Sequence, residues 1–389
     1  MSNQVVIDDV IALASALVSR LSENTMGLAA PDGSQVSFAL WLADYLRAIG
    51  ADSVETASPN EGLMNVLGVF DFACSETIIY TVHLDTVPVI HGEYDVWFGQ
   101  IHNGSLWGRG SCDNKGSMAC MLTALRRAKA GAFVPRYNVL FIATSDEEHA
   151  FLGVRNLTEV MPEKLRLIRN QMPFAAFVAE PTQCRPIIAH KGVTRWRAIA
   201  RGKSAHSSTP QLGKNAITYM SKFIVQLDRK AQELQSDAGH PLLGHATLSP
   251  GVISGGTAVN IVPDLCSLDI DRRLLPGETP ESATSELDTL ARACGVVLGP
   301  PIMWGMPLET ASDARVSLMA AAASEAVGAA DSSFGWVNFA TDASFFSVVG
   351  VPAVVIGAGD IAYAHTREEH IEVTQLEMGA RLFEEVLAK

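Results

Sequence analysis

Four short segments in the first half of the chain are almost continuously apolar and rich in β-branched residues. They are MNVLGVF at 64–70, TIIYTVHL at 77–84, YNVLFIATS at 137–145 and FAAFVAE at 174–180. Strands without a polar face are covered on both sides, as in a sheet flanked by helices. Apolar residues at helical spacing over 5–21, 37–49 and 117–130 supply candidate helices. The pattern therefore predicts an α/β architecture.

After residue 190 the pattern changes to the alternation of apolar and polar positions that is typical of half-buried antiparallel strands. This alternation occurs in VTRWRAIARGK at 193–203, over 246–254 and in CSLDIDRRL at 266–274. Helical spacing over 215–234 and 281–293 places one helix after the first of these strands and another after the third. The order predicts a compact α+β unit with an antiparallel sheet.

From about residue 301 the first kind of pattern returns, with a helix over 316–327, a buried strand in PAVVIGAG and a final helix over 375–388. The simplest organisation is one α/β domain, formed by 1–190 and 303–389, that is interrupted by an α+β domain at 191–302. A length of 389 residues fits this arrangement, since about 150 residues per domain is usual.

Composition limits the classes of partner. Hydrophobic residues make up 48% of the chain and charged residues 18%, so a large core can be buried and disorder is not expected. The 42 acidic residues outnumber the 29 basic ones and give a formal net charge of −13. No cluster of Lys and Arg offsets this charge, so the sequence predicts neither nucleic acid nor an anionic membrane surface as a partner.

Cysteine usage and the N-terminal residues bear on the cellular location. The six cysteines include no Cys-x-x-Cys pair, which fits neither a disulfide framework nor a zinc ribbon. The segment MSNQVVIDDV has no basic region and carries Asp8 and Asp9 where a signal peptide is apolar. The uncharged run 343–359 is interrupted by glycine and proline, so it predicts a helix, a turn and a buried strand rather than a membrane span. We expect a cytoplasmic protein.

Candidate metal ligands lie at the ends of the predicted strands and in a glycine-rich loop, where α/β proteins hold their active sites. They are His83, Asp85, Asp113, Glu147, Glu148, Glu180 and His365. Taken singly, each is better explained as a surface residue or as a hydrogen-bonded core residue than as a ligand. Together, two histidines and three carboxylates can hold a pair of divalent ions, with one carboxylate bridging and a hydroxide between them.

Three of these residues suggest separate roles. Asp85 lies two residues after His83 and is predicted to hydrogen-bond the imidazole and fix its tautomer. Glu147 and Glu148 are adjacent, so one can face the metals while the other faces the water and acts as general acid and base. A helix N-terminus favoured by the macrodipole is the alternative explanation of this acidic pair, and both can hold.

Eight segments in order carry a resemblance over essentially the whole chain. They are TVHLDTVP (81–88), LWGRGSCDNKG (106–116), TSDEE (144–148), AEPT (179–182), GKSAHSSTPQLGKNAI (202–217), GGTAVNIVPD (255–264), RRLLPG (272–277) and AHTREEHIE (364–372). These segments resemble the di-zinc amidohydrolases and peptidases, the family of acetylornithine deacetylase, succinyl-diaminopimelate desuccinylase, aminoacylase and glutamate carboxypeptidase. AHKG at 189–192 and RRLLPG favour the acetylornithine deacetylase branch.

The resemblance implies a metal centre with two Zn²⁺ ions. Asp113 matches the bridging carboxylate, His83 and Glu180 match the other ligands of one ion, and Glu148 and His365 match those of the second. The family also has a cis peptide after the bridging Asp, where this chain has Asn114 instead of the usual Met. Histidine and carboxylate sites also accept Co²⁺ or Mn²⁺.

The resemblance also implies catalytic and substrate-binding roles. Glu147 matches the general base, and Asp85 matches the residue that orients a ligand. In the inserted domain, His206 matches the histidine that stabilises the oxyanion, in many members from the partner subunit of a homodimer. Asn260 and Arg273 match residues that hold the carboxylate and amide end of the substrate, although a turn histidine and a surface cation are the plainer readings of His206 and Arg273.

Together these observations favour a di-zinc hydrolase that cleaves the amide bond of a small N-acyl amino acid, with the metal-bridging hydroxide as nucleophile. The inserted domain would serve as lid and dimerisation domain of a homodimer. A carboxypeptidase, a dipeptidase, a desuccinylase or an aminohydrolase of the same family is the alternative within the enzymes. A non-catalytic binding protein on the same fold is the alternative from another class.

Overall fold

The computed structural model describes residues 6–26, 33–89 and 98–389. Contacts between Cα atoms divide the chain into two units. The first comprises the residues up to Ile188 with Thr310–Gly335 and Thr341–Lys389, and the second comprises Ala189–Glu309 with Trp336–Ala340. The inserted segment thus runs from 189 to 309 by contacts, against 191 to 302 from the sequence. Within the described ranges, no helix is both long enough and apolar enough to cross a lipid bilayer.

The larger sheet has nine strands and is mixed. Its main path is β1 (Ser53–Ala57), β2 (Asn65–Phe70), β6 (Asn138–Thr144), β3 (Thr77–His83), β7 (Ala175–Val178), β15 (Ala353–Val355), β8 (Ile187–His190) and β13 (Leu308–Glu309), and β14 (Gly335–Val337) pairs with β8. The four central strands, β6, β3, β7 and β15, are parallel to one another. All of their residues are buried, as the unbroken apolar pattern predicts.

Helices of the first unit cover this sheet, so the predicted α/β class is confirmed. They are α1 (Val10–Val18), α2 (Ser34–Ala48), α3 (Lys115–Lys129), α4 (Leu152–Arg155), α7 (Arg315–Val327), α8 (Ala343–Val348) and α9 (Val373–Ala388). The first helix begins at Val10 because the Asp9 side chain accepts the N–H of Ala12 at 2.8 Å and so caps it. The sequence predicts an earlier start, at residue 5, which lies outside the described residues.

A small three-stranded sheet supports the glycine-rich loop. It consists of β4 (Gln100–His102), β5 (Ser105–Trp107) and β16 (His370–Glu372). β5 and β16 are antiparallel, with His370 opposite Trp107. The loop that carries Asp113 leaves β5, and the loop that carries His365 enters β16, so this sheet brings the two loops side by side.

The second unit contains a four-stranded antiparallel sheet in the order β10-β11-β9-β12 with two helices. Its elements are β9 (Gly192–Arg201), α5 (Ala216–Ser236), β10 (Thr247–Gly255), β11 (Leu265–Leu274), α6 (Pro280–Ala293) and β12 (Val296–Gly305). Along β11 every second residue is buried, and the apolar ones among them join Trp196 and Phe223 in one core. β12 is a strand that the sequence did not predict, because prolines at 300 and 301 indicate an edge strand or no strand.

Candidate metal centre

The carboxyl ends of the four central parallel strands lie at one edge of the sheet, and the candidate ligands lie in the loops that follow them. β3 ends at His83, β6 leads into Glu147 and Glu148, and β7 leads into Glu180. His365 follows β15 after a short 3-10 turn at Ile361–Tyr363. Parallel packing therefore assembles side chains that are far apart in the chain, as expected for an α/β sheet.

Asp113 belongs to two groups of possible ligand atoms. Its Oδ1 lies 3.0 Å from Nε2 of His83, which is 3.9 Å from Oε1 of Glu180. Its Oδ2 lies 3.1 Å from Nε2 of His365, which is also 3.1 Å from Oε1 of Glu148. In each group the ligand atoms all lie within 4.8 Å of one another. The shared aspartate thus presents one oxygen to each group.

The charge balance of these residues suits a divalent cation. Burial raises the pKa of Glu180 well above its usual value, and the negative charge of Asp113 raises it further. Burial raises the pKa of Glu148, with Asp113 again adding to the shift. Hydrogen bonds with Asp113 and Glu148 raise the pKa of His365 to about 10. Glu148, Glu180 and His365 therefore hold their protons more strongly than usual, because neighbouring carboxylates crowd the site with negative charge. The oxygen and nitrogen donors of these residues are those that Zn²⁺ binds.

The loop around Asp113 is held from several sides. The peptide bond between Asp113 and Asn114 is cis, as the resemblance implies. The Asn114 side chain donates a hydrogen bond to the carbonyl oxygen of Ala179 at 2.7 Å. Asn114 therefore anchors the loop to the residue before Glu180. A Met side chain has no hydrogen-bond donor and could not make this contact.

The Asp85 carboxylate does not make the predicted hydrogen bond with the His83 imidazole, whereas its main-chain carbonyl does. Nδ1 of His83 lies 2.8 Å from the main-chain carbonyl oxygen of Asp85 and 3.9 Å from Oδ1 of its carboxylate. Because a carbonyl oxygen only accepts, Nδ1 carries the proton and Nε2 is the atom that faces Asp113. The Asp85 carboxylate instead accepts the main-chain N–H groups of Glu147 at 3.1 Å and Glu148 at 3.2 Å. It therefore holds the turn that carries both glutamates.

Asn24 completes this arrangement and was not singled out from the sequence. Its side-chain nitrogen donates to Oδ2 of Asp85 at 2.8 Å and to Oδ1 of Asp146 at 2.9 Å. The residue is only 3% exposed. It follows α1 in an irregular segment rather than a strand, so the position gave no signal by which sequence reasoning could have found it.

Glu147 belongs to neither group of possible ligands, although the next residue, Glu148, does. Its side chain is buried, and burial raises its pKa well above the usual value, with a further contribution from the charge of Glu180. A carboxyl group with a raised pKa can accept a proton and return it near neutral pH. The structure therefore separates Glu147 from the residues that could bind metal.

The three remaining candidates lie in the second unit. His206 is exposed, and its Nδ1 is 2.7 Å from the hydroxyl of Ser208. Asn260 lies next to this loop, since the carbonyl oxygen of Asn260 accepts the N–H of Ser207 at 3.0 Å. Arg273 is half-buried, and its Nε donates to Asp271 at 2.9 Å. This contact occupies one edge of the guanidinium group.

Two further buried carboxylates near the centre were missed. Asp342 accepts a hydrogen bond from the hydroxyl of Thr144 at 2.6 Å, and burial raises its pKa to about 7. Glu369 is fully buried and contacts the main chain of the Asp113 loop. Glu369 lies within the AHTREEHIE segment, but the sequence does not distinguish it from the exposed Glu368 beside it.

Known proteins resemble this chain in sequence and in fold. The sequence model of peptidase family M20/M25/M40 matches residues 79–389. Over 307 residues the chain is 31% identical to an acetylornithine deacetylase of Myxococcus xanthus, covering 76% of this chain and 75% of the relative. It is 29% identical over 353 residues to an acetylornithine deacetylase of Proteus mirabilis, covering 86% and 85%. In fold it resembles an M20 family metallo-carboxypeptidase of Sulfolobus solfataricus, with a TM-score of 0.77, 18% identity and coverage of 98% and 99%.

Proposed function

The chain belongs to the M20/M25/M40 peptidase family of metal-dependent hydrolases, and on that premise we propose that it is a deacylase that cleaves the amide bond of an N-acyl amino acid. The observation that carries this proposal is the sharing of Asp113 between two groups of possible ligands. Similarity to two acetylornithine deacetylases supports an N-acetyl amino acid such as N-acetylornithine as the substrate class.

In this proposal two Zn²⁺ ions are held by the two groups that Asp113 joins. His83, Asp113 and Glu180 would bind one ion, and Asp113, Glu148 and His365 the other. When bound, the ions supply Lewis acidity to the scissile carbonyl and to the attacking water. The donor atoms also suit Co²⁺ and Mn²⁺, so metal analysis must decide the identity of the ions.

The residues of the chain account for the proton movements. Glu147 takes a proton from the attacking water as the water oxygen bonds to the acyl carbon. When the C–N bond breaks, Glu147 returns that proton to the leaving nitrogen, so the products are an amine and a carboxylic acid, and the acid then releases its remaining proton to solvent. The Asp85 carboxylate positions Glu147 through its main-chain N–H. His206 would donate to the oxyanion, and Asn260 and Arg273 would bind the substrate carboxylate and amide end.

A substrate panel with metal analysis tests the proposal. The purified protein is incubated with N-acetylornithine, succinyl-diaminopimelate, other N-acyl amino acids and dipeptides, and release of free amine is measured. We expect an N-acyl amino acid to be cleaved fastest, two metal ions per chain, and loss of turnover after chelation. Preference for dipeptides would favour a peptidase instead. A protein with no bound metal that is indifferent to chelator would favour a non-catalytic role.

We further propose a cytoplasmic homodimer that associates through the second unit. All six cysteines are free, which suits a reducing compartment. β10 is an edge strand of the four-stranded sheet, and its residues Val252 and Ile253 are exposed. An exposed apolar edge strand is a surface that pairs readily with another chain. In such a dimer, His206 of one copy would act in the active site of the other.

Mixing two inactive variants tests the role of His206. Glu147→Gln and His206→Ala subunits are each expected to form homodimers of very low activity. If the histidine acts across the dimer, one of the two sites in each mixed dimer combines an intact Glu147 with an intact His206, and activity returns. Native mass spectrometry verifies that mixed dimers form. No gain of activity in a verified mixed dimer would show that His206 does not act in the other copy.

A further inference from the structure

Glu369 is a buried carboxylate with an unusual set of partners. It is 0% exposed. Its Oε1 accepts the main-chain N–H groups of Gly110 at 2.9 Å, Asp113 at 3.0 Å and Cys112 at 3.1 Å. Its Oε2 forms a close ion pair with the Arg109 guanidinium. One side chain thus binds most of the loop from Arg109 to Asp113.

The main chain of Glu369 adds a contact to the same loop. Its carbonyl oxygen accepts the N–H of Gly108 at 3.1 Å, which continues the pairing between β5 and β16. His365 lies four residues before Glu369 in the same connection. The loop with Asp113 and the loop with His365 therefore meet at Glu369, and neither can shift far without breaking its hydrogen bonds.

A buried negative charge is costly unless it is paired and hydrogen-bonded. At Glu369 the charge is matched by one guanidinium and by three N–H groups of a loop whose last residue is Asp113. The hydrogen bond to the N–H of Asp113 holds the main chain from which the Asp113 side chain extends. Both carboxylate oxygens therefore stay directed toward His83 and His365. An apolar residue of the same size could not accept any of these hydrogen bonds.

We propose that Glu369 is a positioning residue of the metal centre, which holds Asp113 ready to contact both ions. This inference rests on the proposed function, since it takes Asp113 as the bridging ligand. Residues that orient ligands typically change metal affinity or activity about 10- to 100-fold when they are mutated. Glu369 does not touch substrate or metal in this role, and its effect passes through Asp113.

Two variants of Glu369 and a matched control test the inference. Glu369→Ala removes all of the side-chain hydrogen bonds, whereas Glu369→Gln keeps an oxygen that can accept N–H groups but loses the charge. Asn138→Ala is the control. Asn138 is 1% exposed, and its Oδ1 accepts the N–H groups of Phe72 at 2.9 Å and Cys74 at 3.1 Å. It anchors a loop at the start of β6, whereas Glu147 and Glu148 follow the other end of that strand.

The measurements are Zn²⁺ affinity, by competition with a chromophoric chelator, and the visible absorption spectrum after loading with Co²⁺. Both are recorded well below the thermal unfolding temperature of each variant. We expect Glu369→Ala to bind Zn²⁺ about 10- to 100-fold more weakly and to show an altered Co²⁺ spectrum, with a smaller change for Glu369→Gln. The Asn138→Ala protein is expected to lose stability but to keep wild-type affinity and spectrum.

Wild-type affinity and an unchanged Co²⁺ spectrum in the Glu369 variants would overturn this inference alone, because the wild-type protein would still bind two ions. If Glu369→Ala does not fold, Glu369→Gln carries the test by the same criteria. Equal losses of affinity in Asn138→Ala and the Glu369 variants would also overturn it, since the effect would then be one of general stability. A wild-type protein without affinity for Zn²⁺ or Co²⁺ would overturn the proposed function itself.

Discussion

Replacing Glu147 with Gln is expected to lower kcat by about 10³-fold, within the range of roughly 10² to 10⁴ that general acid–base catalysis contributes. The amide has nearly the same shape but cannot take a proton from water. Because Glu147 belongs to neither ligand group, metal content should stay at the wild-type value. The turn should also persist, since Asp85 binds the main-chain N–H at position 147 and not the side chain.

The measurement is kcat with the best substrate of the panel, together with metal analysis of the same sample. Glu159→Gln is a suitable control, because Glu159 is an exposed residue that pairs with Arg155 on the surface. That variant should keep wild-type activity. Near-normal turnover in Glu147→Gln would remove Glu147 from the proposed mechanism, and loss of metal would show that it acts as a ligand instead.

Replacing Asp113 with Ala is expected to abolish activity by removing the one side chain that both ligand groups share. The loss of affinity for Zn²⁺ should exceed the roughly 10- to 100-fold effect of losing a hydrogen-bond partner of a ligand. Glu180→Ala and His365→Ala each remove a possible ligand from one group only. We therefore expect each of these to weaken the binding of one ion and Asp113→Ala to weaken both.

Titration with Zn²⁺ gives the number of ions bound, and thermal unfolding gives an independent reading. A ligand that binds only the folded state raises Tm, so added Zn²⁺ should raise the Tm of the wild-type protein but not that of Asp113→Ala. Asp44→Ala, which removes an exposed carboxylate of α2 that pairs with Arg47, should respond to Zn²⁺ as the wild type does. Two tightly bound ions in Asp113→Ala would contradict the bridging role.

The sequence was informative wherever a residue type and its place in an element both carried meaning. A carboxylate or histidine after a buried parallel strand predicted the positions of His83, Glu148, Glu180 and His365, and the structure brings these side chains together around Asp113. The continuous apolar pattern of the central strands predicted a sheet covered on both faces. Both kinds of inference depend on the order of residues along the chain and not on distant contacts.

The sequence was silent where the role of a residue depends on a partner far away in the chain. Asn24 donates hydrogen bonds to Asp85 and Asp146. Glu369 binds the loop from Arg109 to Asp113. The local sequence pattern does not indicate any of these partners. The Asp85 carboxylate also turned toward the glutamate turn rather than toward His83. Which hydrogen-bond partner a side chain uses depends on how the loops pack, and adjacent loops come from separate parts of the chain.

The place of β15 in the larger sheet determines when the candidate metal centre can be assembled during synthesis. β15 lies beside β7, yet it leaves the ribosome only after the whole of Ala189–Glu309 has been made. The nascent chain therefore has every strand of the four-stranded sheet before β7, which lies beside β3, gains β15 as its second neighbour, and His365 emerges later still. Both groups of possible ligands are complete only in the finished polypeptide. A C-terminal truncation ahead of His365 would remove one possible ligand while leaving every strand of the four-stranded sheet in place.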